Sequence, residues 1–458
     1  MRRAAALARV MALAALGALT VGLSLVPPVS AQSATVIEHV NVIPMDTERV
    51  LEDYSVYVRN GRIEWMGPAA QRGVTPGVTR VDGRGKYLIP GLAEMHAHIP
   101  GPQNPAWQEN VLFLYVAGGV TTIRGMLGQP AHLELKRRVE TGTPVGPRIW
   151  TSGPSMTGNS VPTPDSAVRM AVHQKDAGYD FIKIHPGPSR EAFDSLDASA
   201  DRAGIRFAGH VPTAVGLPRA LEAGYWSIDH LDGYVEELAG KTGQPGGWFG
   251  VSFATEVDEA GIEALARRTR AAGVWNVPTQ TLMESVALGR TPDPLNARPE
   301  LRYVPLQTRQ QWNNQTRDIT AGLPPAEVVT RWIEVRRRLL KSLHDAGAGL
   351  LLGSDAPQVW NVPGFSVHRE LEALVAAGLT PYQALATGTR NVATYFGTTD
   401  RAGTIAVGKQ ADLVLLDANP LTDIRNTTRR AGVMLRGVWM PQAEIQRRLD
   451  EIAAGYGN

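Results

Sequence analysis

Two imidazoles two residues apart, His96 and His98, close an apolar run that enters through Pro90 and Gly91. In an extended strand, side chains at i and i+2 share a face, so both rings can reach one cation. Four further groups able to do chemistry, Lys183, His210, His230 and Asp355, each stand at or near the end of a separate apolar run. Imidazole and carboxylate are ordinary ligands for zinc and other first-row cations. The chain has no cysteine, so thiolate is excluded as ligand and as nucleophile. Any metal must be held by His, Asp, Glu or a modified Lys. A lysine within an apolar strand is itself costly and asks for a role.

Those residues need elements to hold them. Strand-like runs at Gly119 to Arg124, Pro147 to Ser152, Phe181 to Ile184, Ile205 to His210, Ser227 to His230, Val274 to Pro278 and Leu350 to Asp355 alternate with helical patterns. With the His96 strand they make eight, the count of a (β/α)8 TIM-type barrel. In that fold catalytic groups sit at the ends of strands, so the six polar residues converge on one mouth. Before the barrel, Ser55 to Arg59 and Arg62 to Met66 flank Asn60-Gly61, a strong hairpin signal. Gly403 to Asp417 and Gly432 to Met440 are also strand-rich, and Gln442 to about Ala454 reads as a final helix. The expected organisation is a small β-sandwich domain built from both chain ends, 32–90 and 399–458, around a hydrolase barrel at 91–398. Residues 286 to 330 interrupt the rhythm and read as an insertion near the active face, a lid or a plain surface loop.

Taken together, Pro90-Gly-Leu-Ala-Glu-Met-His-Ala-His98, Gly118-Gly-Val-Thr-Thr-Ile-Arg124, Phe181-Ile-Lys-Ile184, Gly209-His210, Ile228-Asp-His230, Leu352-Gly-Ser-Asp-Ala356, His368-Arg-Glu-Leu371 and the run from Gly403 to Val414 resemble the amidohydrolase superfamily. The likeness is to its secreted imidazolonepropionase-like branch, with Xaa-Pro dipeptidases and ochratoxin-type amidases. The resemblance implies two divalent ions, zinc by default. His96, His98 and Asp355 would hold one, and His210 and His230 the other. Lys183, as a carbamate formed with carbon dioxide, would bridge them. Water shared by two cations loses its proton near neutral pH, and Asp355 would orient the hydroxide and carry the proton to the leaving group. The sequence departs from the family where Gly125 follows Arg124, where Ala-Gly precedes His210, and where Asp229 stands in place of the frequent Glu.

Candidate substrate contacts are Arg124, His185, Tyr234, Thr279 and His368. Tyr234, four residues beyond His230, could donate to a substrate carbonyl or carboxylate, or pack in its loop. His185 shares a face with Lys183 and could touch substrate, although a structural role is the stronger reading. Arg124 could clamp a carboxylate or pair with an acid in the barrel wall. His368 is expected to pack behind Asp355.

Met1-Arg2-Arg3, the apolar stretch from about Val10 to Val26, and Val29 and Ala31 form a secretory signal peptide over 1–31, which implies export. Its three arginines lower the formal charge from +2 to −1, and neither nucleic acid nor an anionic membrane is an expected partner. No other stretch is long and apolar enough to span a bilayer. A homo-oligomer is left open. The activity expected is hydrolysis of an amide C–N bond in a small molecule, a dipeptide or N-acyl amino acid. The same site could instead serve a lactone, a cyclic amide or an organophosphate ester, and a silent metal-binding scaffold is the remote alternative.

Overall fold

Asn60 and Gly61 adopt φ of 52° and 72°, the paired left-handed conformations of a two-residue hairpin turn. They join strands Leu51–Arg59 and Arg62–Pro68. The computed structural model describes residues 34–71, 77–289 and 293–457; the expected signal peptide lies outside them. The hairpin belongs to one eight-stranded sheet drawn from both ends of the chain. Its order is Val438–Pro441, Arg430–Leu435, Leu413–Leu416, Tyr87–Pro90, Thr35–Val42, Leu51–Arg59 and Arg62–Pro68, with Thr79–Asp82 also on Thr35–Val42. The pairings join strands of both chain ends in a single hydrogen-bonded sheet. Its apolar side buries Ile37, Val40, Val56, Leu88, Leu413 and Met434.

Leu92–Ala97 starts the second assembly. It pairs in parallel with Val120–Gly125, which pairs with Arg148–Thr151. Ile182–Ile184, Phe207–Gly209, Ser227–Asp229 and Trp275–Val277 form a second parallel sheet. Isolated parallel bridges join the two: Ser152 to Phe181, Asn276 to Leu350, and Ala97 to Ala356. The eighth run, Leu350 to Asp355, is thus held between the first and seventh strands through bonds such as Met95 N to Leu352 O (2.8 Å) and Leu351 N to Asn276 O (2.9 Å). These strands are almost wholly buried, as parallel strands covered by helices must be.

The long helix Ala326–Asp345 lays Val329, Trp332, Ile333, Val335, Leu339, Leu340 and Leu343 against this core. The 286 to 330 region includes the helix Leu306–Ala321. It packs on the chain that follows Asp355: Trp360 Nε1 donates to Thr316 Oγ1 (2.6 Å) and Arg298 Nη1 to the Trp360 carbonyl (3.1 Å). The final helix runs Gln442–Gly455. Among the described residues, no helix is long and apolar enough to cross a membrane.

Candidate metal centre

His96, His230, Asp355 and Lys183 are buried, and His98 and His210 open only slightly to solvent. Their rings form a continuous series: His98 to His96 at 5.4 Å, His96 to His230 at 4.5 Å, His230 to His210 at 4.6 Å, and His210 to the stacked His185 at 4.9 Å between centroids. His98 Nε2 lies 2.7 Å and His96 Nε2 3.6 Å from Asp355 Oδ1. Ligand atoms of His96, His98 and Asp355 all fall within 4.8 Å of one another.

The backbone turns sharply at the strand ends that present these groups. His230, Thr279 and Asp355 adopt φ of 62°, 48° and 66°. A left-handed backbone at a β-branched or bulky residue costs about 1–3 kcal/mol, and such strain collects at functional sites. Gly209, at φ 128°, serves Lys183 directly, since a Cβ there would stand 2.8 Å from Lys183 Cδ.

Hydrogen bonds fix the rings. His210 Nδ1 is 2.6 Å from Asp232 Oδ2. His230 Nδ1 is 2.8 Å from Thr279 Oγ1, whose own hydroxyl donates to the Pro278 carbonyl (2.8 Å). Each Nδ1–H is therefore engaged outward, leaving the Nε2 lone pair free. Burial, reinforced by Lys183, pushes His210 down to about 3 and His185 to about 2. Burial likewise holds His96 and His230 well below the ordinary imidazole range, so these four rings are neutral. Burial also lowers Lys183, partly offset by Asp229 and Asp355. Three buried atoms in this group have no hydrogen-bond partner: His96 Nδ1, Lys183 Nζ and Asp229 Oδ2. Clustered neutral imidazoles, carboxylates and an unpartnered lysine fit a cation site, because an isolated polar cluster of this depth would be costly.

The pattern of the amidohydrolase family matches residues 87–440. The chain belongs to the amidohydrolase family. An imidazolonepropionase from Streptomyces avermitilis is 24% identical over 390 residues, 81% of this chain and 82% of that one. An adenine deaminase from Rubrobacter xylanophilus is 33% identical over 110 residues, and the match spans only 18% of that protein. A similarly local match, to an adenine deaminase from Ruegeria, spans 11% of its length. Among solved structures, a candidate prolidase from Bifidobacterium longum is 26% identical with a TM-score of 0.66, covering 92% of this chain and 99% of that one. A bottromycin amidohydrolase superposes with a TM-score of 0.71 at 24% identity over 93% and 92% of the two chains, a likeness of fold. The barrel is that of the family.

The structure sorts the remaining sequence candidates. His185 stands at the edge of the centre on His210, partly exposed. Thr279 supports His230. Arg124 is no clamp for substrate: it is fully buried and saturated, donating to Met95 O (2.7 Å), Ser227 Oγ (2.7 Å), Tyr395 OH (2.6 Å) and Asp229 Oδ1 (2.9 Å). Tyr234 does not face the centre either. The left-handed turn at His230, Leu231 and Gly233 swings it outward, where its hydroxyl meets Thr269 Oγ1 at 3.0 Å in the core. His368 joins the Gly118 carbonyl (2.9 Å), just ahead of the second barrel strand, to Thr427 Oγ1 (2.9 Å).

Several contributors escaped the sequence reading. Glu94 accepts from Ser354 N (2.6 Å) and Oγ (2.5 Å) and from His96 N (3.2 Å), tying the first strand to the eighth. Asp232 and Arg336 were equally unassigned. Their signal was charge at core positions; Arg336 sits on the apolar stripe of its helix. A pocket opens beside His210, lined by Asp232, Glu236, Thr242, Trp248 and Phe249, with no lysine or arginine among the described residues of its wall.

Proposed function

We propose that this amidohydrolase is an exported, binuclear-metal enzyme that hydrolyses the amide bond of a small dipeptide or N-acylated amine. The observation that carries the reading is the convergence of His96, His98, His210, His230, Lys183 and Asp355 in one buried cluster whose atoms the protein alone does not satisfy. His96, His98 and Asp355 would hold one ion, His210 and His230 the other. Lys183 would join both as a carbamate, its neutral amine adding to carbon dioxide with loss of one proton. Burial favours that neutral amine. When bound, the ions supply Lewis acidity to the scissile carbonyl and lower the pKa of water. Asp355 orients the attacking water, takes its proton and passes it to the departing nitrogen. The left-handed backbone at Asp355 aims this carboxylate at the imidazoles.

The pocket beside His210 bears on the substrate. A carboxylate pointed into it would meet Asp232 and Glu236 with no cation in the wall. The reading therefore seats an amine-bearing or aromatic portion there, against Trp248 and Phe249: burial raises Asp232 and Glu236 to about 7, and an ammonium would find acceptors in them as well as ring contact. Export rests on the basic start, apolar run and small residues that end at Ala31.

The test is hydrolysis by zinc-loaded protein across Xaa-Pro and other dipeptides, N-acyl and N-aroyl amino acids, lactones and a phosphotriester. Turnover of amides that chelator abolishes is expected, with basic or amine-bearing substrates favoured over acidic ones. Turnover of lactone or phosphotriester alone would overturn the amide assignment.

A further inference from the structure

The metal-centre reading gives no role to the buried carboxylate of Asp229, which lies against two of its ligands. Asp229 ends the strand Ser227–Asp229, one residue before His230, and is fully buried. Its two oxygens face different groups. Oδ1 accepts from Arg124 Nη2 (2.9 Å) and Ser227 Oγ (3.0 Å). Oδ2 makes no hydrogen bond and lies 3.1 Å from His96 Nδ1 and 3.6 Å from Lys183 Nζ, both also without partners. His96 thus has a carboxylate at each nitrogen, Asp229 at Nδ1 and, 3.6 Å away, Asp355 at Nε2.

A neutral imidazole carries one N–H, and the position of that proton decides which nitrogen can bind a cation. With the proton on Nε2, the Nδ1 lone pair would press on the Asp229 carboxylate and the ligating nitrogen would be blocked. With the proton on Nδ1, its positive end stands on the Asp229 side, 3.1 Å from Oδ2 without the alignment of a hydrogen bond, and the Nε2 lone pair faces the side shared with His98 and Asp355. The outward Nδ1 contacts of His210 and His230 follow the same rule. Arg124 Nη2, 2.9 Å from Oδ1, gives this carboxylate a buried ion-pair partner on its far side.

We propose that Asp229, held by Arg124, is a positioning residue that fixes His96 as the Nδ1–H tautomer and offers the same oxygen to the Nζ–H of Lys183. This rests on the metal-binding reading for its consequence, but the tautomer belongs to the chain itself.

The experiment has two arms. In chelated protein with ¹⁵N-labelled histidine, His96 is expected to give the Nδ1–H signature in the parent. In Asp229→Asn it should lose that single form while His210 and His230 keep theirs. Zinc titration should show Asp229→Asn binding about 10–100-fold more weakly, with Asp229→Glu, which keeps a carboxylate, recovering much of the loss. Because Asp229→Asn also strands the Arg124 cation, the double variant Arg124→Met with Asp229→Asn is measured beside it. Affinity that stays weak there supports the tautomer account; affinity restored to the parental value would show that stray charge was the cause and overturn it. An unchanged His96 tautomer in Asp229→Asn overturns it as well. A parent that binds no zinc would sink the metal-centre reading, while the ¹⁵N arm still judges Asp229.

Discussion

Arg336 offers the sharpest test of how the scaffold holds the centre. It is fully buried on the helix Ala326–Asp345 and donates to three acceptors: Gln280 Oε1 (2.9 Å), the His230 carbonyl (2.8 Å) and the Pro278 carbonyl (3.0 Å). Those carbonyls flank the left-handed residues His230 and Thr279, so one guanidinium pins two strained strand ends. Replacing it by Met in Arg336→Met keeps the apolar stem and removes every donor. Each charge-assisted bond contributes about 1.5–3 kcal/mol, and the stranded carbonyls lose the same interactions counted from the other side. Against this stands the relief of a buried cation, whose desolvation already pulls Arg336 down to about 10. The net expectation is a loss of about 3–5 kcal/mol. Zinc affinity should also fall about tenfold or more as His230 relaxes. Denaturant unfolding of the chelated protein reads the first and zinc titration the second. Arg336→Lys should recover only part, because a point ammonium cannot span three acceptors. Stability within about 1 kcal/mol of the parent, with zinc affinity unchanged, would refute the argument.

Tyr234→Phe removes a core hydrogen bond to Thr269 and should cost about 1 kcal/mol while leaving kcat/KM intact; a large drop in turnover at constant stability would return Tyr234 to the substrate pocket. Lys183→Ala should lose most activity and regain part of it with added small carboxylates, and unchanged turnover would remove the bridging role. Asp355→Asn should keep much of the metal, measured by elemental analysis, yet turn over poorly; a fully active variant excludes Asp355 as the base. His368 is pushed down to about 3 by burial and by Arg430. Below about pH 6.5 the unfolded chain therefore binds a proton that the folded one refuses, and stability is lost as pH falls toward 3. The stability difference between parent and His368→Gln should accordingly shrink from pH 7 to 4, by up to about 1.4 kcal/mol per pH unit. A pH-independent difference would contradict this.

What could be read from the chain and what could not divide along the range of the interactions. The barrel strands were legible because each is a short apolar run, and the centre was legible because strand ends carry its polar groups. Asn60-Gly61 fixed its hairpin through local φ preferences alone. The partners that orient the ligands lie far away in sequence: Thr279 is 49 residues from His230, and Arg336 is 106. No periodicity ties such pairs together before the helix and strand are packed. Tyr234 shows the limit from the other side. Four-residue spacing implies a shared face only on a continuous helix, and here His230, Leu231 and Gly233 leave the strand through left-handed backbone before a helix begins at Tyr234. His368 is decided in the same way: the helix Ser366–Ala376 starts against the eighth strand, Ser366 Oγ 2.8 Å from Ser354 Oγ, yet the imidazole is bonded to Gly118 and Thr427. Arg124 and Asp229 could each be seen as charges in apolar strands, but charge at a core position says only that a partner exists. Which partner it is, and so whether the residue binds substrate or braces a ligand, is decided by 2.9 Å between two strands more than a hundred residues apart.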